Sequence, residues 1–396
     1  MSKKIHYIDE AVLKNKRVIL RVDFNTTLNE SFRIADDARI RAELPSLNFL
    51  LKGNNRLILI SHLGRPKGHD ERYSLRVVAR RLQELMPGYT VKLVKDFRGE
   101  SEKKVIEKQT SKEILILENI RFYQEEKENS LVFAKELASL GDVYVNDAFG
   151  VSHRTDASLV GITRYLPTFG GLLMKKEVKS IEHAMKSPAK PVVAILGGAK
   201  ISTKIEFLTK LLKVADVILI GGGLANTFLY ATGKEIGKSL CEYDEVERAK
   251  RILSNAERTG THIVLPTDVI CGRMEDSEDA GQVRDVDEIP VNKHILDIGP
   301  KTQASFGNHI ASARTIIWTG PVGYIENPSF ARGTDFIYYS ITHNFKTYSI
   351  VGGGDTIAAI MKKEYLEEID HISTGGGAML EFIEKGTLPA IEALKR

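Results

Sequence analysis

The chain has 396 residues, 42% of them hydrophobic and 27% charged, and its formal net charge at pH 7 is only +4. This length favours two domains, this composition is typical of a soluble globular protein, and the charge balance gives no indication of nucleic-acid binding. No apolar run reaches the roughly 18–20 residues of a membrane helix, the start of the chain lacks the apolar region of a signal peptide, and the two cysteines provide no disulfide framework, so we expect a cytoplasmic protein that does not bind membranes.

Short apolar strands alternate with helical segments along the whole chain. In the first half, runs of valine, isoleucine and leucine occupy residues 17–25, 56–65, 113–122 and 142–150, with helical patterns at 74–85 and 130–140. In the second half, such runs lie at residues 191–200, 216–223, 261–269, 315–323, 348–354 and 371–377. Near-continuous apolar runs are typical of strands covered on both faces, and strand–helix alternation builds parallel sheets. The sequence therefore predicts an α/β fold.

One helix is predicted between the two halves, at residues 170–186, where charged residues recur and Pro188 and Pro191 follow the end of the pattern. This arrangement is typical of a connector between domains. We therefore expect an N-terminal domain over residues 1–170, a connecting helix over about 171–186, and a C-terminal domain over residues 187–380.

Ligands of open α/β sheets bind beyond the carboxyl ends of the strands. In the first half these ends carry polar or charged side chains, namely Asp23, Asn25, His62, Arg65, Arg121 and Asp147. Arginine forks bind phosphate and carboxylate oxygens, so a predicted anion site comprises Arg39, His62, Arg65, Arg121 and Arg154. Each arginine could instead form a surface ion pair, and His62 could be a core histidine. Asp23 and Asn25 could cap a turn or hold substrate hydroxyls.

In the second half, the strand ends carry glycine-rich turns. The segment YSIVGGGDTIAA at residues 348–359 runs from a strand through three glycines into a helix predicted to begin at about Asp355. Glycines let the backbone approach a ligand closely, and the free N–H groups of a helix start favour a phosphate. A carboxylate beside a phosphate indicates a metal ion between them, so we predict Mg²⁺ at Asp355.

Two lysines, Lys200 and Lys204, follow another strand in LGGAKISTK. If a helix begins near Lys200, both lie on one face of its first turn, where cations oppose the helix dipole and are poorly placed for stability alone. They could be solvated surface lysines. The functional interpretation is a pair of charges that stabilises a transferring phosphoryl group.

Other catalytic patterns are missing from the sequence. No GxGxxG fingerprint is present, and the GKS at residues 237–239 fits the Walker pattern only if Thr232 is accepted in place of a glycine. We interpret that near-match as accidental. No Ser-His-Asp set or Cys/His zinc spacing is indicated. The remaining chemistry is positioning with charge stabilisation, which phosphoryl transfer requires.

Taken together, the motifs closely resemble those of the phosphoglycerate kinase family. They are RVDFN at residues 21–25, DARIRA at 37–42, SHLGRP at 61–66, LENIRF at 117–122, DAFG with HR within 147–154, GGAKISTK at 197–204, GGGLANTF at 221–228, GKS at 237–239, GPVG at 320–323, GGGDT at 352–356 and STGGGA at 373–378. They follow the order of that family and cover nearly the whole chain, so the combination is far more specific than any single motif.

The resemblance implies a monomer of two Rossmann-like domains, each a parallel β-sheet covered by helices, facing each other across a cleft. It implies reversible phosphoryl transfer between 1,3-bisphosphoglycerate and ADP, giving 3-phosphoglycerate and MgATP, by direct in-line transfer after domain closure. The acid would bind the N-terminal domain and the nucleotide the C-terminal domain. The C-terminal tail, about residues 381–396, would pack back on the N-terminal domain.

The resemblance also implies three sets of site residues by position. The acid site would comprise Asp23, Asn25, Arg39, His62, Arg65, Arg121 and Arg154. The nucleotide site would comprise Gly198, Ala199, Lys204, Gly222, Gly223, Glu326, Gly353, Gly354, Asp355 and Thr356, with Asp355 on Mg²⁺. The transferring group would be stabilised by Arg39, Lys200, Lys204, Gly375, Gly376 and Gly377.

The sequence departs from the family pattern at three places. Thr26 and Thr27 stand where Val-Pro is usual, residues 155–156 differ after the HR pair, and Thr319 stands before GPVG where asparagine is usual. Two other functions stay open beside the kinase. A dehydrogenase is disfavoured by the missing GxGxxG, and a non-catalytic nucleotide-binding or interaction protein is disfavoured by the intact set of Arg39, Lys200, Lys204 and Asp355.

Overall fold

The structure is a computed structural model that describes residues 4–276, 278–361 and 363–395. The chain divides into two compact units. Unit 1 comprises the chain up to Val178 together with the chain from Lys385 onward, and unit 2 comprises Lys179–Glu384.

The strands of unit 1 are β1 (Arg17–Arg21), β2 (Arg56–Ile60), β3 (Thr90–Val94), β4 (Glu113–Leu117), β5 (Val143–Asn146) and β6 (Thr168–Gly170). The strands of unit 2 are β7 (Val192–Leu196), β8 (Val217–Ile220), β9 (His262–Val264), β10 (Asp268–Gly272), β11 (Gln282–Asp285), β12 (His294–Ile298), β13 (Thr315–Thr319), β14 (Tyr348–Gly352) and β15 (His371–Ile372).

The helices are α1 (Ala38–Lys52), α2 (Arg76–Leu85), α3 (Glu100–Glu107), α4 (Gln124–Lys127), α5 (Leu131–Ala138), α6 (Leu172–Lys186), α7 (Ile205–Leu211), α8 (Gly222–Ala231), α9 (Val246–Thr259), α10 (Pro300–Ser312), α11 (Arg332–Thr342), α12 (Gly354–Ile360), α13 (Gly376–Lys385) and α14 (Pro389–Leu394). Short 3-10 helices lie at Ile8–Glu10, Glu71–Tyr73, Ile120–Phe122, Phe149–Val151, Gly161–Arg164, Tyr243–Glu245, Pro328–Phe330 and Leu366–Glu368.

Unit 1 is built on a parallel sheet with the strand order β3-β4-β2-β1-β5-β6. The central residues of strand β1, Val18, Ile19 and Leu20, are all apolar because helices cover both faces of the strand. Val18 and Leu20 pack in one core cluster and Ile19 packs in the cluster on the other face. Covered faces of this kind produce the continuous apolar runs seen in the sequence.

Unit 2 contains a second parallel sheet, with the order β15-β14-β13-β7-β8-β9, and a smaller antiparallel sheet with the order β11-β10-β12. The single tryptophan, Trp318 on β13, is fully buried in the main core of the unit. Its indole N–H donates to the carbonyl of Gly320 at 3.0 Å, so its polar atom is satisfied.

The predicted α/β class with two helix-covered parallel sheets is confirmed, but some element predictions were wrong. The apolar run at 261–269 is not one strand: β9 and β10 belong to different sheets, and Pro266 lies between them. Proline cannot donate to a sheet ladder, and the N–H groups of Thr267 and Asp268 both donate to the Thr302 hydroxyl instead. Strands β3 and β6 and the antiparallel sheet were not predicted.

The C-terminal tail packs within unit 1. The N–H of Ala390 donates to the carbonyl of Ser152 at 3.0 Å, and Leu394 joins the core cluster that contains Ile19. A β-bridge pairs Ile5 with Lys395. The two ends of the chain are therefore held side by side in the same unit.

The start of α6 is also fixed within unit 1. The Asp147 carboxylate accepts a hydrogen bond from the N–H of Met174 at 2.8 Å and so caps the first turn of the helix. A Cβ atom at Gly171 would lie only 2.2 Å from that carboxylate. A glycine is therefore required where the chain enters α6.

Candidate functional site

The polar residues of unit 1 that the sequence singled out lie on neighbouring loops. Strands β4, β2, β1 and β5 are adjacent in the sheet, and the loops that follow them carry Arg121, His62 with Arg65, Asp23 with Asn25, and Arg154. Parallel strands place these loops at one edge of the sheet. Arg39 reaches the same edge from the first turn of α1, because its guanidinium forms an ion pair with Asp23.

The turn after β1 is held by its own polar side chains. The Asp23 carboxylate accepts from the N–H of Asn25 at 3.2 Å, and the Asn25 side-chain oxygen accepts from the N–H of Gly64 at 2.8 Å. Asp23 is nearly fully buried, with 5% of its surface exposed. The capping role that the sequence left open is therefore present, together with a buried carboxylate that faces Arg39.

His62 lies in a strongly positive environment. Its side chain is 1% exposed, and its Nδ1 lies 3.5 Å from the Arg21 guanidinium and 3.9 Å from the Asp23 carboxylate, which is beyond hydrogen-bonding distance. Burial, followed by the charges of Arg21, Arg121, Arg154 and Arg39, holds the pKa of His62 well below its usual value. The ring is therefore neutral, and because Nδ1 faces a donor, the ring proton lies on Nε2.

The arginines of this cluster repel one another. Burial and the charges of Arg154 and Arg21 lower the pKa of Arg121 to about 10, while Asp156 and Asp23 oppose the shift. The Nε–H groups of Arg121 and Arg154 are buried and have no hydrogen-bond partner among the described residues. Arg65, in contrast, is exposed. A bound anion would both relieve the repulsion and satisfy the buried donors.

Arg21 was missed by the sequence reasoning. It ends β1, is 1% exposed, and donates from Nε to the Ser158 hydroxyl at 2.9 Å. The Ser158 hydroxyl in turn donates to Glu126, whose pKa burial raises to about 7. An arginine directly after the apolar residues 18–20 was the available signal, since arginine is rarely fully buried without partners.

The glycine-rich loops of unit 2 also meet at one edge of a sheet. Strands β15, β14, β13 and β7 are adjacent, and their following loops line a cavity of about 350 Å³. Its walls include Gly198, Ala199, Lys200, Lys204, Thr319, Gly353, Gly354, Asp355, Thr356, Gly376 and Gly377. Backbone N–H groups and two lysines around such a space suit phosphate oxygens.

A second, less polar cavity of about 310 Å³ adjoins the first, because Gly198, Ala199 and Asp355 line both. Its wall also contains Gly222, Gly223 and Glu326. Asp297 lines this cavity as well, and burial raises the pKa of its carboxyl to about 7. Together the two cavities provide an apolar pocket continuous with a phosphate-sized, glycine-lined space.

The geometry predicted for the two lysines was wrong. Residues 200–204 form turns, and α7 begins only at Ile205, so Lys200 and Lys204 do not share a helix face. Lys200 is exposed, whereas Lys204 is half-buried and its ammonium donates to the carbonyl of Gly197. Burial lowers the pKa of Lys204 to about 8, and the Asp355 carboxylate opposes that shift.

The remaining predicted site residues of unit 2 differ in whether they line a cavity. Gly376 packs against Gly353, where an added Cβ would lie 3.2 Å from backbone atoms. Gly375 does not line either cavity, and its carbonyl accepts from the N–H of Met379 within the start of α13. Thr319, which replaces the usual asparagine, is buried at the end of β13 and lines the glycine-rich cavity.

The GKS segment at residues 237–239 has a structural role. The N–H of Lys238 donates to the carbonyl of Lys293, and the Ser239 hydroxyl accepts from the N–H of Ile295 at 2.8 Å. These bonds join the segment to β12. The segment lines neither cavity, in agreement with its interpretation as an accidental match.

Comparison with known proteins gives consistent results. The phosphoglycerate kinase family model matches residues 8–386. A phosphoglycerate kinase of Koribacter versatilis is 47% identical over 395 residues, covering 98% of each chain. A cytosolic phosphoglycerate kinase of Nicotiana tabacum is 43% identical over 397 residues, covering 100% of this chain and 99% of the relative. The structure of phosphoglycerate kinase from Coxiella burnetii superposes with a TM-score of 0.88 at 36% identity, covering 99% of both chains.

Proposed function

The chain belongs to the phosphoglycerate kinase family, and from this premise we infer that it transfers a phosphoryl group reversibly between 1,3-bisphosphoglycerate and ADP. The products are 3-phosphoglycerate and ATP, and the reaction is a step of glycolysis and gluconeogenesis. The protein is thus a phosphotransferase with a carboxyl group as acceptor. The proposal for individual residues rests on one observation: basic side chains converge at one sheet edge in unit 1, and glycine-rich loops converge at one sheet edge in unit 2.

Unit 1 is proposed to bind the phosphoglycerate. The buried Nε–H groups of Arg121 and Arg154 would donate to its phosphate oxygens, with exposed Arg65 closing the site from solvent. Neutral His62 would donate from Nε2 without adding charge. The substrate hydroxyl would donate to Asp23 and accept from the Asn25 amide. Arg39, paired with Asp23, would face the reacting carboxyl group.

Unit 2 is proposed to bind the nucleotide across its two cavities. The base and ribose would occupy the 310 Å³ cavity lined by Gly222, Gly223 and Glu326. The phosphates would lie in the glycine-lined cavity, against the N–H groups of Gly353 and Gly354. Gly198, Ala199 and Asp355 line both cavities, so the border between sugar and phosphates would lie beside them.

The residues present fit a Mg²⁺ ion bound with the nucleotide. Among the described residues no group of three or more His, Cys, Asp or Glu side chains is arranged to hold a metal by itself, whereas Asp355 lines both cavities. Mg²⁺ is commonly held by one or two carboxylates together with substrate phosphates and water. Asp355 would therefore be its protein ligand, and the bound ion would neutralise phosphate charge.

The transfer itself is proposed to be direct. In the direction of ATP formation, a β-phosphate oxygen of ADP bonds to the acyl phosphate, and the bond from that phosphorus to the carboxyl oxygen breaks, leaving 3-phosphoglycerate as a carboxylate. The negative charge of the transferring group would be stabilised by Arg39, Lys200, Lys204 and the backbone N–H groups of Gly376 and Gly377. Gly375, which the resemblance placed in this set, instead donates its N–H to the Ser373 hydroxyl at 3.2 Å. The half-buried Lys204 is the strongest candidate because a charge away from water acts most strongly on a nearby phosphoryl group.

We also propose that the protein is cytoplasmic and monomeric. None of the described helices is long and apolar enough to cross a membrane. The cytosolic relative from Nicotiana tabacum and the free thiols of Cys241 and Cys271 support a reducing compartment. Light scattering after size-exclusion chromatography would measure the mass against the 44.1 kDa of one chain; a mass of two chains would contradict the monomer.

A coupled assay of ATP formation from ADP and 1,3-bisphosphoglycerate tests the function. The wild-type chain should form ATP, and Arg121→Ala should raise KM for the acid by at least about tenfold, because a charged hydrogen bond is lost. Arg56→Ala is the matched control. Arg56 begins β2, so it lies at the amino end of the strands, whereas Arg121 follows a carboxyl end. Absence of ATP formation would overturn the function, and equal effects of both variants would overturn the site.

A further inference from the structure

Two carboxyl groups lie side by side beneath the acid site of unit 1. Glu43 on α1 and Asp147 after β5 are both fully buried, and they lie within hydrogen-bonding range of each other. If both are ionised, each can only accept hydrogen bonds. In that form Glu43 Oε2 and Asp147 Oδ2 are buried without a donor among the described residues. Two buried, unpartnered carboxylate oxygens on neighbouring side chains would be strongly unfavourable.

The other oxygens of the pair have partners. Glu43 Oε1 accepts from the N–H of Asp23 at 3.1 Å. Asp147 Oδ1 accepts from the N–H of Met174 at 2.8 Å, at the start of α6. The hydroxyl of Ser46, one turn beyond Glu43 on α1, accepts from the N–H of Leu172 at 2.8 Å. The pair thus links the substrate-binding loop after β1 to the first turn of α6.

We propose that one proton is shared between Glu43 Oε2 and Asp147 Oδ2, and that protonated Glu43 is a positioning residue that fixes Asp23 opposite Arg39. A single proton satisfies both unpartnered oxygens, because it turns one of them into a donor and leaves the other as its acceptor. It also removes one of the negative charges in a buried region that already contains Asp23. The role in positioning Asp23 for substrate rests on the proposed function, whereas the shared proton does not.

The hydrogen bonds indicate which carboxyl carries the proton. Burial raises the pKa of Asp147 as well, but hydrogen-bond donors at the start of α6, the N–H of Met174 among them, offset part of that rise and favour its ionised form. Glu43 accepts from one N–H and is repelled by the charges of Asp147 and Asp23. Burial first, and then Asp147, raise the pKa of Glu43 well above its usual value. Glu43 is therefore the acid and Asp147 the acceptor.

The consequence for the substrate site follows from the geometry of α1. Glu43 lies four residues after Arg39 on the same helix, one turn further along. Glu43 holds the backbone of Asp23, and Arg39 holds its carboxylate. One helix therefore fixes Asp23 at two points, and loss of the Glu43 contact should displace the carboxylate that receives the substrate hydroxyl.

Infrared spectroscopy and kinetics test the two parts of the proposal. Glu43→Gln preserves one acceptor for the Asp23 N–H and supplies an N–H donor to Asp147, whereas Glu43→Leu supplies neither. At pH 8 the C=O stretching absorption of protonated carboxylic acids should be weaker in Glu43→Gln than in the wild type by the equivalent of one carboxyl group. Leu50→Ala, which opens a cavity on the same helix away from Asp23, is the control for simple destabilisation.

The proposal predicts that KM for 3-phosphoglycerate stays within about twofold of wild type in Glu43→Gln and rises at least about fivefold in Glu43→Leu, with KM for MgATP unchanged in both. Leu50→Ala should lower the melting temperature and leave both KM values unchanged. An identical acid band in wild type and Glu43→Gln would overturn the shared proton. An unchanged KM in folded Glu43→Leu, or an equal rise in Glu43→Gln, would overturn the positioning role. A wild-type protein with the band but no kinase activity would refute only the proposed function.

Discussion

Lys204 provides a prediction whose size can be worked out from its surroundings. Burial lowers the pKa of its ammonium to about 8, and the Asp355 carboxylate opposes the shift. At about pH 7 roughly nine in ten molecules carry the charge, and at about pH 9 roughly one in ten does. If the charge stabilises the transferring phosphoryl group, kcat/KM for MgATP at saturating 3-phosphoglycerate should fall about tenfold across this range, because that parameter reports the form free of nucleotide.

Lys204→Arg is the decisive variant, because a guanidinium stays charged throughout this pH range. Its activity should be lower than that of the wild type, since a planar fork replaces a compact ammonium, but its kcat/KM should be flat from about pH 7 to pH 9. The reasoning is refuted if the wild-type profile is flat to about pH 9.5, or if Lys204→Arg shows the same decline as the wild type.

The lowered pKa of Lys204 also makes the stability of the folded protein depend on pH. The folded pKa of about 8 lies below the ordinary value of 10.5, so between these two pH values the unfolded chain binds more protons than the folded chain. Raising the pH through this window should therefore stabilise the folded protein relative to Lys204→Met, which cannot titrate. At pH 7 the lowering of the Lys204 pKa from 10.5 to about 8 corresponds to at most about 3–4 kcal/mol in favour of the methionine variant. A melting-temperature difference that does not shrink between pH 7 and pH 10 would contradict this.

Three further predictions concern single side chains. Asp355→Asn should weaken the binding of MgADP far more than the binding of metal-free ADP, as measured by calorimetry. An equal loss of affinity for both would exclude Asp355 as a metal ligand. Arg39→Ala should lower kcat by at least about a hundredfold, as loss of one stabilising donor does, whereas a change in KM alone would make it a binding residue only. Gly222→Ala should lower the melting temperature more than Gly233→Ala, because both glycines have positive φ, 64° and 85°, but only at Gly222 would the Cβ meet backbone atoms, at 2.9 Å. Equal shifts of the melting temperature would mean that the positive φ alone, and no contact of the added Cβ with the backbone, destabilises Gly222→Ala.

The fold could be predicted wherever strands are buried on both faces. Such strands are apolar, as β7 is at every position and as Val18, Ile19 and Leu20 of β1 are. Strand β3 was not predicted because Thr90 and Lys92 are exposed at the edge of the sheet and interrupt the apolar run. The antiparallel sheet was not predicted because β11 is largely exposed and polar. In such strands the pairing depends on neighbours that are distant in sequence, which a local pattern does not contain.

The site could be predicted where function needs a particular residue at a strand end. Basic residues and glycines at those ends are visible in the sequence, and they indicate both loop clusters. The sequence did not indicate Glu43, which lies on a helix between ordinary neighbours and becomes notable only because Asp147 approaches it from another loop. The predicted placement of Lys200 and Lys204 on one helix face was wrong because a turn precedes α7, so the helix begins only at Ile205. Turns of this kind depend on the packing around them.

Hydrogen–deuterium exchange, recorded separately with 3-phosphoglycerate and with MgADP, tests most directly the claim that each unit binds one substrate. The acid alone should slow exchange in the loops at residues 23–25, 62–65 and 119–123 of unit 1. MgADP alone should slow exchange at residues 197–204, 221–223 and 352–356 of unit 2. Protection by 3-phosphoglycerate in the glycine-rich loops of unit 2, or by MgADP in the arginine-bearing loops of unit 1, would contradict the account.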